Sequence, residues 1–307
     1  MLFHFQLRPL SDVAPWGYPD RLCLHWFGLT DGWYWLEMGQ NNEFFRYTTD
    51  ILMHWQRNHP EIPPYADYYV VRLWEDILEI LPDILEPLPP KLVQMLDGEE
   101  QISRWQERMK KYTKMFESDD EDEEETEEDK QAWEIYMQAT MWWNCRRLNT
   151  GYLTASPHLW FWNDGRDVHI FWDNSESSIE NIPVWTAQRG HIQLPYAQFL
   201  DEVDSLHTRL FATMEERIQA AKKMLYRDVP REHAEASSYI PRPLPGAEYS
   251  ISDIILDRDQ LEKEQQTRFQ RLSKSLGRVA SKTATDWNVV FDAMTVMDKL
   301  SGFSTKE

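Results

Sequence analysis

Residues 159–173 read LWFWNDGRDVHIFWD. Aromatic and β-branched residues dominate both halves, and the Asp164-Gly165 pair between them is a two-residue turn signal, so the stretch predicts an antiparallel hairpin. Such a turn sets Trp162 opposite Asp167, Trp160 opposite His169 and His158 opposite Phe171. Side chains alternate across a strand. Leu159, Phe161, Val168, Ile170 and Trp172 therefore make one wholly apolar face, the core side, while His158, Trp160, Trp162, Asp167, His169 and Phe171 share the other. A second Asp-Gly pair, Asp31-Gly32, separates LCLHWFG from WYWLEM and predicts a second antiparallel hairpin. It places Cys23, His25, Phe27, Leu36 and Met38 on one face and Leu24, Trp26, Trp33 and Trp35 on the other. With both faces apolar, this hairpin belongs inside a core, with His25 a buried, hydrogen-bonded histidine.

Away from the hairpins the apolar spacing becomes helical. Val70, Leu73, Trp74, Ile77, Ile80 and Leu81 form a stripe that ends where Pro82 intervenes. Ile102, Trp105, Met109, Tyr112 and Phe116 repeat at three- and four-residue steps. A helix resumes around Gln131 and turns Trp133, Tyr136, Met137, Met141 and Cys145 inward; others span about 195–225 and 253–276, and the last has a capped start near Thr285. Two separated hairpins among more numerous helices define an α+β fold and argue against a parallel doubly wound sheet. The segments are 1–117, 118–129, 130–227, a Pro-rich connection at 228–250, and 251–307, packed as a single domain.

The 307 residues hold 52 Asp plus Glu against 32 Lys plus Arg, a net charge of −20. Nucleic acid and anionic membranes bind through cationic side chains, so both are disfavoured as partners. Two cysteines, Cys23 and Cys145, support no disulfide framework, and no run approaches the ~18 apolar residues that mark a membrane span. With no basic leader followed by an apolar run, a cytoplasmic protein is expected. Residues 118–129, SDDEDEEETEED, place ten carboxylates in twelve positions. Having nothing to bury, this tract is expected to be a disordered loop whose Asp119, Asp120, Glu121, Asp122, Glu123, Glu124 and Glu125 steer a basic protein partner.

Phosphate-loop, dinucleotide, zinc-protease, nucleophile-elbow and Cys-x-x-Cys patterns are all missing, and no two of the nine histidines fall three or four residues apart on a helix. Neither a metal nor a cofactor is expected. The mixed face of the second hairpin supports two functional readings beside that of a face simply covered by a helix. One is a binding surface anchored by Trp160, Trp162, His158, His169, Phe171 and Asp167; the other is a pocket in which His169 or His191 works with Asp167 as a proton-transfer pair. Arg146, Arg147 and Arg189 flank the hairpin and are read as partners for the surplus carboxylates.

Three segments, LHWFGLTDGWYWLEMG (24–39), RRLNTGYLTASPHLWFWNDGRDVHIFWDN (146–174) and VWTAQRGHIQLPYAQFLDEVDSLHTRL (184–210), together with TDWNVVFDAM (285–294), resemble a bacterial domain family of unknown function. The resemblance runs over most of the chain and implies no activity; the acidic tract is a departure from the family's pattern. The second segment also resembles hairpins of bacterial toxin-immunity proteins. Charge, missing motifs and that likeness together point to a non-catalytic protein-binding module, an immunity-type inhibitor of a basic toxin. Alternatives are a small-molecule enzyme using His169, Asp167 and His191, and a structural subunit docking through helices 195–225 and 253–276.

Overall fold

The computed structural model describes residues 1–18, 21–39, 42–56, 62–115, 126–224, 254–255 and 258–302. In chain order the first half contains β1 (Phe3–Leu7), β2 (Trp16–Tyr18), β3 (Arg21–Cys23), β4 (Gly32–Glu37), β5 (Glu43–Phe44), α1 (Thr49–Gln56), β6 (Ala66–Asp67), α2 (Val70–Leu85), α3 (Pro90–Met95) and α4 (Glu99–Thr113). The second half contains α5 (Glu127–Asn144), β7 (Leu159–Asn163), β8 (Asp167–Asp173), β9 (Ser178–Ile179), β10 (Ile182–Pro183), β11 (Arg189–Pro195), α6 (Tyr196–Met224), β12 (Ile254–Ile255), α7 (Arg258–Ser281) and α8 (Trp287–Ser301). The class is α+β, with helices around small, mainly antiparallel sheets.

The Asp31-Gly32 hairpin does not form. Residues 28–30 wind into a 3-10 turn, with Leu29 N–H bonded to His25 O and Asp31 N–H to Gly28 O, so the chain coils where the first strand of a hairpin would run into its turn. β4 instead pairs with β1, Phe5 opposite Tyr34 and Leu7 opposite Gly32, and carries β5 and β6 on its other edge. The glycine answers to this neighbour and not to a turn: a Cβ on Gly32 would stand 2.2 Å from the Gln6 carbonyl oxygen. Tyr34 and Leu36 enter the core, while Trp33 and Trp35 lie on a half-buried face against Arg8, His4 and Tyr65. β3 pairs with β2 and β12.

The second hairpin forms in a shifted register. Four residues, Asp164 to Asp167, separate the paired Asn163 and Val168, so Trp162 faces His169 and Trp160 faces Phe171. Asp164 causes the longer turn: its Oδ1 accepts the amides of Arg166 and Asp167, each at 2.8 Å, an Asx-type arrangement that a two-residue loop cannot supply. The shift moves each opposing pair by two positions in sum, which preserves parity and hence the faces. β11 completes the sheet on the far edge of β8.

This three-stranded sheet divides two apolar clusters. Leu159, Phe161, Val168, Ile170 and Trp172 pack with α2, α6 and the β4 sheet; Trp160, Trp162 and Phe171 pack with Leu92, Trp105, Trp142, Trp143 and Met294 from α3, α4, α5 and α8. Gly190 on β11 is required by that crowding, since a Cβ there would stand 2.3 Å from the Trp172 ring.

Helix ends differ from expectation for local reasons. α2 continues through Pro82 to Leu85, because Ile84 extends the buried stripe and offsets the missing backbone bond. α5 starts at Glu127, four residues before Gln131, where Thr126 and Asp129 form a capping box; the last four residues of the acidic tract thus belong to a helix start, where negative charge favours the helix dipole. The rest of the tract, 118–125, and the connection 228–250 lie outside the described residues. α7 is set about five residues later than the 253–276 expected, and α8 is capped by Asp286, whose side chain accepts the Asn288 amide, one residue beyond Thr285. Among the described residues no helix is long and apolar enough to cross a membrane.

Candidate functional site

The mixed face of the second hairpin is covered by helices. Trp162 is 1% exposed, Phe171 0% and Trp160 6%, all within the second cluster, and His158 sits half-buried edge-on to Trp160. His169 and His191 come together, stacked on the Trp162 ring at 5.1 and 5.4 Å. His169 Nδ1 lies 3.1 Å from His191 Nε2, and its Nε2 lies 3.0 Å from Oδ2 of Asp164, not of Asp167. Asp167 pairs instead with Arg166.

Burial pulls the His191 pKa down to about 4, and the charge of His169 pulls the same way. Asp164 is held at about 2: burial opposes ionisation, but the amides of Asp167 and Arg166 and the His169 ring stabilise the carboxylate more strongly. Both ring nitrogens of His169 are thus committed to the chain's own groups, and the carboxylate that Nε2 meets also closes the turn. Chemically this is a clamp on the hairpin. Of the flanking cations, Arg146 meets Glu86 and the Trp142 carbonyl, Arg189 meets Asp173 and Glu99, and Arg147 lies over the Trp160 ring. Asp119 to Glu125 lie outside the described residues.

A different constellation has the geometry of an activated nucleophile. Cys23 ends β3, and the period of two that puts Cys23 and His25 on one side brings Sγ to 3.0 Å from His25 Nε2. His25 Nδ1 faces Glu264 Oε1 on α7 at 3.4 Å. Glu264 is fixed in turn: its Oε2 accepts the Trp26 amide at 2.6 Å and its Oε1 accepts Gln260 Nε2 at 2.9 Å. Burial lowers the His25 pKa, but hydrogen bonds and charge from Cys23 and Glu264 outweigh it and push the ring up to about 10. Cys23 and His25 are both half-buried, and the His25 ring lies against Trp16 at 5.4 Å. A thiol against an imidazole whose other nitrogen is oriented by a carboxylate is the arrangement that activates sulfur as a nucleophile.

The spacing Cys23-x-His25 was visible in sequence as two residues on one face. Glu264, 239 positions from His25, carried no signal. Cys145, by contrast, has its thiol pKa raised, chiefly by burial and then by Asp83.

A family described as a family of unknown function, DUF5984, matches residues 2–293. The chain belongs to DUF5984. Membership of DUF5984 assigns no activity. No curated protein and no solved structure matches the chain, and the likeness to toxin-immunity proteins draws no support from these comparisons.

Proposed function

We propose that the protein is a thiol-dependent enzyme of the acyl-transfer class, with Cys23 as nucleophile, His25 as its proton partner and Glu264 as the group that orients the ring. The observation that carries this reading is the continuous contact Cys23 Sγ to His25 Nε2 and His25 Nδ1 to Glu264. In the reaction the Cys23 sulfur, as thiolate, adds to a substrate carbonyl carbon. The imidazolium of His25 protonates the departing alcohol or amine, leaving a thioester; His25, now neutral, takes a proton from the water whose hydroxide adds to the thioester carbonyl, so that the carboxylic acid leaves and the Cys23 thiolate and the protonated ring are restored.

The test uses p-nitrophenyl acetate and iodoacetamide on the full chain. A burst of p-nitrophenol near one equivalent, lost in Cys23→Ser and slowed at least tenfold in His25→Gln, is expected, with Cys23 alkylated faster than Cys145 at pH 7. Absence of the burst, together with equal alkylation of the two cysteines, would overturn the assignment.

A protein-binding reading also has an observation behind it, at a different place from the hairpin. Trp133, Met137 and Met141, expected to turn inward, instead recur every four residues on the outer side of α5, with Trp133 57% and Met141 42% exposed, because Ala132, Ala139, Trp142 and Trp143 make its buried side; they follow directly on the acidic tract. An exposed tryptophan beside dense negative charge suits a basic partner. If this face binds one, a protein captured stoichiometrically by the native chain is lost with Trp133→Ala; equal recovery removes the reading.

A further inference from the structure

Arg72 on α2 and Arg271, Lys274 and Arg278 on α7 line a cavity of about 250 Å³ between the two helices, together with Glu75 and Glu79. Four cations against two carboxylates is an unusual accumulation on a chain of net charge −20. Glu75 is shared among Arg72, Arg268 and Arg271, and Arg72 also pairs with Asp76 at 3.2 Å, so the surplus positive charge lies on α7. Among the described residues Lys274 has no ionic partner, and Arg278 has only the Ser275 hydroxyl, at 3.2 Å. The cations strain against one another. Arg268, next in the row, has its pKa lowered to about 10 by burial and then by Arg271 and Arg72. Trp74 also contributes to the wall; it is 1% exposed and its buried indole N–H has no acceptor.

An anion between Lys274 and Arg278 would supply the negative charge that neither meets among the described residues. Guanidinium forks match tetrahedral phosphate oxygens, and a nearby ammonium adds a point charge. The volume is below the ~300–1,000 Å³ of sites for drug-sized ligands, which suits a short molecule.

We propose that this cavity is a binding site for a small phosphomonoester, its phosphate held by Arg271, Lys274 and Arg278 while Arg72 completes the cationic wall. The site stands apart from the thiol: Glu264 and Arg271 are seven positions apart on α7, about 10 Å along the helix axis, and neither proposal needs the other.

The test is calorimetric titration of the full chain with glycerol 3-phosphate and with inorganic phosphate at constant ionic strength in chloride. Saturable binding of glycerol 3-phosphate is expected, weakened at least tenfold in the double variant Lys274→Ala/Arg278→Ala. Both side chains are exposed, so the fold survives their loss, which an unchanged melting temperature verifies. Lys110→Ala, a surface control paired with Glu176, should bind as the native chain does. No saturable binding, equal affinity in the double variant, or an equal loss in the Lys110 control would each overturn the proposal; binding of inorganic phosphate alone would overturn the assignment to an ester.

Discussion

His191→Phe should change how stability depends on acidity. In the folded chain His191 has a pKa of about 4 against the ordinary 6.5. A group whose folded pKa is depressed contributes stability that is complete above its unfolded pKa and is lost as pH falls through the folded value. Its window is therefore pH 6.5 down to 4. At pH 7.5 the contribution to the pH dependence is near zero. At pH 4.5 the unfolded ring is almost wholly protonated and the folded ring mostly neutral, a cost of about 2.5 kcal/mol, or about 2 once the ring's partial exposure is allowed for. Phenylalanine can stack on Trp162 as the imidazole does and cannot titrate. The lost bond to His169 lowers the variant at both pH values, so the quantity to read is the change between them. Urea unfolding at pH 7.5 and 4.5 should show the native chain losing about 2 kcal/mol more than the variant. Buried carboxylates such as Asp76, whose pKa is raised to about 6, titrate in both proteins and cancel, and Asp164 remains ionised above pH 4. Equal losses in the two proteins would refute the buried, neutral His191.

Trp162→Ala should lower stability by about 3–5 kcal/mol, the range for emptying an aromatic core position, measured by the same unfolding assay; a loss under 1 kcal/mol would return Trp162 to the surface and reopen the hairpin face as a contact site. Gly190→Ala should cost about 1–3 kcal/mol, because its methyl group meets the Trp172 ring, which is fixed between the sheet and the first cluster; an unchanged denaturation midpoint would place the two strands farther apart than described.

The faces of the second hairpin were legible in its sequence although the register was not, because alternation needs only parity, whereas register depends on how Asp164 spends its side chain. The same detail hid the partner of His169: in the longer turn Asp164, not Asp167, reaches the ring. At Asp31-Gly32 the local turn signal was outweighed by pairing with β1, some 25 residues upstream, and by the 3-10 turn just before it; propensity describes a strand and does not choose its neighbour. The helical stripes were readable because a period of 3.6 against a core leaves a regular mark, as in α2 and in α6, where the expected 195–225 meets Tyr196–Met224. The thiol site and the cationic cavity share a helix whose contribution, Glu264 in one and Arg271 to Arg278 in the other, is fixed by tertiary docking alone.

The position of β8 bears on how the molecule comes apart. It is bonded on both edges, to β7 and β11, and its two faces belong to different apolar clusters. Neither cluster can open without stripping one side of this strand, so a local fluctuation in either is resisted by the other. The β8 amides should therefore exchange with solvent only when the whole region unfolds, in one cooperative step, while α1 and the outer turns of α7 exchange through smaller openings.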